Sequence, residues 1–257
     1  FESVIGVPMM GMEAYEFGFG TVFFDMDNDT DQDLYWLGSL AARGEGPGGD
    51  FAPSFGRLLQ NVGDRSFRDV TSEAHMIDSL AVDYSVLDPD DGDFDRTKQR
   101  LGVEFHENGK GVAVGDLDGN GFVDVIGTNS NGETYKSNGE RTVAGGPLFV
   151  WMNSGGDNNW VTLRLSGRMA IDGTGSNADG IGAKIIISHH HEDRGKIIQI
   201  KEVLGSSSFL SMSSLDSHFG VGDADSVSVI VEWPSGRTTT VDNLSINRIH
   251  EITEPDS

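Results

Sequence analysis

The chain has 257 residues, with 18 lysines and arginines against 41 aspartates and glutamates, for a formal charge of −23. That acid excess excludes a nucleic-acid phosphate binder, which needs clustered cations to displace counterions, and docking on an anionic membrane surface. There is no cysteine and no apolar run near ~18 residues, so disulfide frameworks, zinc–thiolate centres, cysteine nucleophiles and a spanning helix are excluded as well.

Aromatic residues make up 9% of the chain, too many for a disordered sequence, so a folded core is expected. Glycine is frequent (35) and proline rare (7), and the apolar residues come in short runs. In chain order these are Thr21 to Phe24, Asp33 to Leu37, Gly111 to Val114, Phe122 to Ile126 and Pro147 to Trp151. Trp160 to Leu165, Ala183 to Ile187, Ile197 to Ile200 and Ser226 to Val231 follow. All are rich in Val, Ile, Phe or Trp and bounded by Gly, Asn, Asp and Ser, which predicts an all-β protein with many turns. One short helix is predicted around Thr71 to His75, capped by Thr71 or Ser72. Residues 40–55 read as a Gly/Pro-rich loop, and residues 78–110 as an acidic insertion centred on DPDDGDFD. Composition shifts at NSGGDN (153–158), which places a domain boundary there and divides the chain into 1–157 and 158–257. The chain opens at Phe1 without an initiator Met and reads as a piece of a longer precursor.

Two acidic loops carry the chemistry. The first runs Asp25-Met-Asp27-Asn-Asp29-Thr-Asp31-Gln-Asp33, the second Asp116-Leu-Asp118-Gly-Asn120-Gly-Phe122-Val-Asp124. Both offer oxygen donors at positions 1, 3, 5 and 9. Two carboxylates ~4 Å apart at an effective dielectric of ~20 repel by ~4 kcal/mol, so such a cluster either splays into water or binds a cation. Calcium fits, because it takes six to eight hard oxygen ligands in a flexible shell. Asp25, Asp27, Asp29 and Asp33 would hold one ion, with Asp31 giving a backbone carbonyl. Asp116, Asp118, Asn120 and Asp124 would hold a second, with Phe122 at the carbonyl position. These are not EF-hands: position 12 is Trp36 or Gly127 rather than Glu, and β-type runs flank each loop. A solvated acidic turn is the alternative, weakened by the recurrence of the motif with the same spacing and flanks. The insertion (Asp88, Asp90, Asp91, Asp93, Asp95) offers a third ion site or a solvated loop. Its flanks do not read as strands, which favours the loop.

GTVFFDMDNDTDQDLYWLGS and GKGVAVGDLDGNGFVDVIGTN resemble FG-GAP/VCBS repeats, the calcium-loop blades of β-propellers. Between them, Asn61, Gly63, Phe67, Asp69, Val70, Thr71 and Ala74 match the connector of the cartilage acidic protein 1 family. Beyond residue 158, Asn177, Gly180, Gly182, Ala183 and Phe209, with His218-Phe-Gly-Val-Gly222 and Trp233-Pro-Ser-Gly236, resemble an ASPIC/UnbV domain. The resemblance implies propeller-type blades followed by a β-sandwich-like domain. A propeller needs about four to eight blades, and residues 1–157 supply at most about three, so this chain cannot close one by itself.

Other residues attract structural readings. His189, His190 and His191 would alternate faces in a strand, and are expected at an exposed hairpin tip rather than on a transition metal. His218 is expected to fix a turn by hydrogen bonds, and Trp233-Pro-Ser-Gly to be a strand end and tight turn. No G-x-S-x-G, H-E-x-x-H or Walker loop is present. The expectation is therefore a non-enzymatic calcium-binding adhesion or interaction protein, secreted, at the cell surface or periplasmic. Its partner would be an extracellular protein, a glycan or copies of itself. The alternatives are a calcium-dependent extracellular polysaccharide hydrolase or lyase, and a structural subunit of a surface filament.

Overall fold

The computed structural model describes residues 18–38, 40–43, 50–53, 56–63, 66–76, 108–130, 132–135, 141–144 and 148–256. The centre of the acidic insertion, with its candidate third ion site at Asp88–Asp95, lies outside the described residues.

The described chain is built of β-strands, as expected, and its sheets stay open. The N-terminal part contains the same arrangement twice. Strands β1 (Gly18–Phe24) and β2 (Asp33–Gly38) flank the first acidic loop, and β5 (Arg57–Asn61) and β6 (Phe67–Asp69) complete an antiparallel sheet of order β1-β2-β5-β6. A hairpin of β3 (Leu40–Arg43) and β4 (Asp50–Pro53) stands between β2 and β5. The expected loop over 40–55 is therefore partly a hairpin. The flanks pair in antiparallel register, from Leu40 with Pro53 to Arg43 with Asp50. Likewise β7 (Asn108–Gly115) and β8 (Asp124–Ser130) flank the second acidic loop, and β11 (Leu148–Trp151) adds to give β11-β8-β7. The hairpin of β9 (Gly132–Tyr135) and β10 (Arg141–Ala144) lies between.

The two sheets meet through β1 and β7. A Cβ at Gly20 would lie 2.9 Å from Val112 N, so the approach is close. Val22, Phe24, Tyr35, Leu37, Leu58, Val112, Val123 and Val125 fill one buried cluster across both. Tyr35 meets Trp151 edge-on, with centroids 5.6 Å apart. The helix expected at Thr71 to His75 is instead a hydrogen-bonded turn. Ala74 N donates to Val70 O and Met76 N to Thr71 O, and His75 ends the turn at φ 55°. Thr71 turns its hydroxyl to Asp69 rather than capping a helix.

The C-terminal part is a sandwich. One sheet has order β15-β12-β18, made of β12 (Asn159–Ser166), β15 (Ser217–Gly222) and β18 (Arg248–Thr253), with β12 and β18 parallel. The other has order β14-β13-β16-β17, made of β13 (Lys184–His191), β14 (Gly195–Glu202), β16 (Ser226–Glu232) and β17 (Thr238–Ser245). Alternate residues of β12, β13, β15 and β16 meet in the core: Val161, Leu163, Ile185, Ile187, Phe219, Val221, Val229 and Val231 are essentially inaccessible. Each such side chain contributes ~1.5–3 kcal/mol over its exposed state. Gly236 N closes on Trp233 O with Gly236 at φ 87°, so Trp233-Pro-Ser-Gly is the expected tight turn.

Candidate metal centres

Each acidic loop is wound around its first and last aspartates by backbone N–H donors. In the first, Asp25 accepts from Asp29 N and Thr30 N (3.0 and 2.9 Å), and Asp29 Oδ1 from Asp31 N. In the second, Asp116 accepts from Gly119 N, Asn120 N and Gly121 N. At position 9 the two loops agree bond for bond. Asp33 accepts from Met26 N and Asn61 N (both 2.8 Å), and Asp124 from Leu117 N and Asn153 N (both 2.7 Å). Asn61 and Asn153 then each accept from the glycine two residues on, Gly63 and Gly155. The repeat unit therefore runs from the acidic loop to an N-x-G turn. Asn153, at the start of the NSGGDN segment and within residues 1–157, closes the second unit. The signal was available: N-V-G at 61–63 and N-S-G at 153–155 follow the ninth-position aspartate by nearly the same interval.

Carboxylate oxygens of Asp25, Asp27 and Asp29 come within 4.8 Å of one another, as do those of Asp116, Asp118 and Asp124. Among the described residues these are the two places where three or more potential ligands converge. Asp27 Oδ2 takes a bond from Gln60 Nε2, whereas the buried Oδ1 has no hydrogen-bond partner. A buried, unpaired carboxylate oxygen beside two others fits a hard cation.

The other expected ligands divide. Asp33 has both oxygens on backbone N–H groups. The Asp31 side chain is taken by Arg194, 3.2 Å away. Asn120 accepts from Phe122 N and donates to Asn153 O, and Phe122 is buried beneath Gly155 and Gly156.

Burial pushes Asp25 up to about 8, with Asp29, Asp33 and Asp27 adding repulsion against the opposing Thr30 N–H. Burial likewise raises Asp33 to about 7 and raises Asp29. Burial and mutual repulsion in the first loop therefore favour protons on these acids unless a cation takes their place.

That loop is enclosed by the sandwich. Asn28 has no exposed surface and sits at φ 60°. Its Nδ2 donates to Gly121 O of the second loop (3.0 Å), and its Oδ1 lies 2.8 Å from His218 Nε2. Because Oδ1 can only accept, His218 carries its proton on Nε2 and takes the Thr162 hydroxyl on Nδ1 (3.0 Å). Burial, then Lys201, lowers the His218 pKa to about 3, so the ring stays neutral. His218 does act through hydrogen bonds, as expected, but from within β15 rather than at a turn.

His189 is buried, His190 exposed and His191 half-buried, with His191 Nε2 3.9 Å from Asp223. The three alternate along β13 and do not converge. The expected exposure therefore fails for His189, whose position faces the sandwich core. A cleft of about 510 Å³ opens between the first sheet, the second loop and the sandwich. Of the acids lining it, Asp25 and Asp116 turn the loops and Asp216 clamps Arg164 through two bonds.

Residues 173–257 match the family model described as ASPIC and UnbV. Cartilage acidic protein 1 of Xenopus tropicalis is 28% identical over 234 residues, covering 90% of this chain and 28% of that protein. The chain is homologous to cartilage acidic protein 1. The Mus musculus and Homo sapiens forms of cartilage acidic protein 1 are 30% identical over 156 residues, or 60% of this chain and 21% and 20% of theirs. The chain thus spans less than a third of the length of these relatives. Among the described residues, no helix is long and apolar enough to cross a membrane.

Proposed function

We propose that this chain is an extracellular calcium-binding interaction protein. Its two N-terminal sheets are FG-GAP/VCBS-type blades, each tied by an ion in its acidic loop, and they present surfaces to an extracellular protein, a glycan or further copies of the chain. The single observation that supports this most is the duplicated loop. Two sites 91 residues apart use the same backbone bonds to gather three carboxylates, and one leaves a buried oxygen without a partner. Asp25, Asp27 and Asp29 would hold the first ion and Asp116, Asp118 and Asp124 the second, with Asp33, Asp31, Asn120 and Phe122 shaping or extending these sets. The ions would supply the charge that otherwise has to come from protons, and folding and binding would be linked. Homology to cartilage acidic protein 1 supports adhesion or interaction outside the cell.

Thermal unfolding with calcium, with magnesium and with excess EDTA tests the reading. Calcium at 100 times its dissociation constant stabilises by about 2.7 kcal/mol per site. For a protein of this size that is a midpoint rise of roughly 5–10 °C per ion. The rise should be calcium-specific and partly lost in Asp27→Ala and in Asp118→Ala. Equal midpoints in all three media would leave the loops as solvated turns and remove the proposal.

A further inference from the structure

We propose that strand β15 of the sandwich completes the first acidic loop, with Asn28 and Gly220 as its positioning residues, so that calcium in that loop and seating of the sandwich strengthen each other. The inference rests on the calcium reading above.

Asn28 lies between Asp27 and Asp29, so whatever moves its backbone moves two of the three converging carboxylates. Its own carbonyl accepts Gly222 N from β15 at 2.9 Å, and its side chain is held by His218 of the same strand. His218 is fixed in turn by Thr162 and by stacking on Trp160, centroids 5.9 Å apart. Gly220, between these two contacts, has no room for a side chain. A Cβ there would fall 2.2 Å from Asp25 Oδ2 and 2.4 Å from Asn28 Cα. Two further ties come from the sandwich side. Asn158 Nδ2 donates to Asp27 O at 2.9 Å, and Arg194 at the β13–β14 tip reaches Asp31 and the Thr30 hydroxyl.

The second loop is placed differently. Asp118 and Asn120 are exposed, and the loop touches the sandwich chiefly where Gly121 abuts Trp160. Docking of the sandwich therefore bears on the geometry of the first site far more than on the second. A coupling free energy acts equally in both directions, so an ion that tightens when β15 is seated must also hold β15 in place.

The test uses the whole chain and calcium itself. Calorimetric titration of the parent should resolve two sites. Gly220→Ala, 191 residues from Asp29, should weaken one of them by about tenfold or more, within the usual range of such couplings. The site it spares should be the one that Asp118→Ala abolishes, which also shows that the variant is folded. Arg194→Ala, an exposed change, should weaken the same first site by roughly threefold. Hydrogen exchange at 217–222 should slow on adding calcium in the parent and in Asp118→Ala but not in Asp27→Ala. If Gly220→Ala does not fold, the Arg194→Ala titration and the exchange comparison decide. Unchanged affinity at both sites in Gly220→Ala or Arg194→Ala overturns the coupling, as does calcium binding at the first loop without protection of β15. If the parent binds no calcium, the calcium reading itself fails, an outcome distinct from uncoupled binding.

Discussion

Glu254 carries a carboxylate whose side chain has no exposed surface, placed just beyond β18. Five donors meet it: Arg168 N and Ser176 N at 2.8 Å, the Ser176 hydroxyl at 3.1 Å, the Ser235 hydroxyl and the Arg237 guanidinium. Arg237 stands 3.4 Å away. Burial alone would push this acid up. The hydrogen bonds from Arg168, Ser235 and Ser176 outweigh it and hold the pKa at about 2. The group thus pins the Trp233-Pro-Ser-Gly turn and the 168–176 segment to the end of the chain. Removing a buried, fully bonded charge leaves its donors stranded, and Glu254→Ala should lower stability by about 3–5 kcal/mol in urea unfolding. The pH dependence has a defined sign. An acid whose folded pKa lies below its unfolded value stabilises fully above about 4.5, and that contribution is lost as pH falls toward 2. Between those values the gap between parent and variant should narrow. A constant gap across that window would show that the carboxylate's charge contributes nothing.

At the scale of the element, the acidic loops owe their path to glycine in one place and to packing in another. Gly119 and Gly121 both sit at positive φ, 78° and 87°. A Cβ at Gly119 would meet nothing within 4 Å, whereas one at Gly121 would fall 1.9 Å from Trp160 Nε1. Gly119→Ala therefore carries only the backbone cost of about 1–2 kcal/mol, and Gly121→Ala adds displacement of Trp160. The midpoint of Gly121→Ala should fall clearly below that of Gly119→Ala, and equal midpoints would refute the role of the Trp160 contact. This contrast also marks what the sequence could tell. The strands flanking the loops were legible because Val22, Phe24, Tyr35 and Leu37 alternate at period two. The loops were legible because their oxygens recur at fixed spacing. The β3–β4 and β9–β10 hairpins were not, because strands of four residues are too short to show a clear period. Nor were Asn28, Arg194 and Glu254, whose partners lie 190, 163 and up to 86 residues away. Distant partners leave no local pattern.

For the whole molecule the governing quantity is charge. Two calcium ions would cancel only four of the 23 net negative charges, so the protein remains strongly anionic even when loaded. Self-repulsion of that size favours expanded states, and screening relieves it within a Debye length of ~10 Å at 0.1 M salt and ~30 Å at 0.01 M. Two contributions can therefore be separated by salt. The diffuse repulsion is shared by the entire surface and should respond to any electrolyte. In the first loop Asp25 and Asp33 are buried and Asp27 and Asp29 half-buried, so these carboxylates are screened less. In EDTA the unfolding midpoint should rise steadily from ~10 mM to ~150 mM sodium chloride, through the diffuse part alone. Calcium at micromolar to millimolar concentration, negligible in ionic strength, should then add its own increment at every salt concentration. An increment that vanishes at ~150 mM sodium chloride would mean that calcium acts as a general counterion. One that persists locates the effect in the converging carboxylates of the loops, which bind the ion specifically rather than through the diffuse charge.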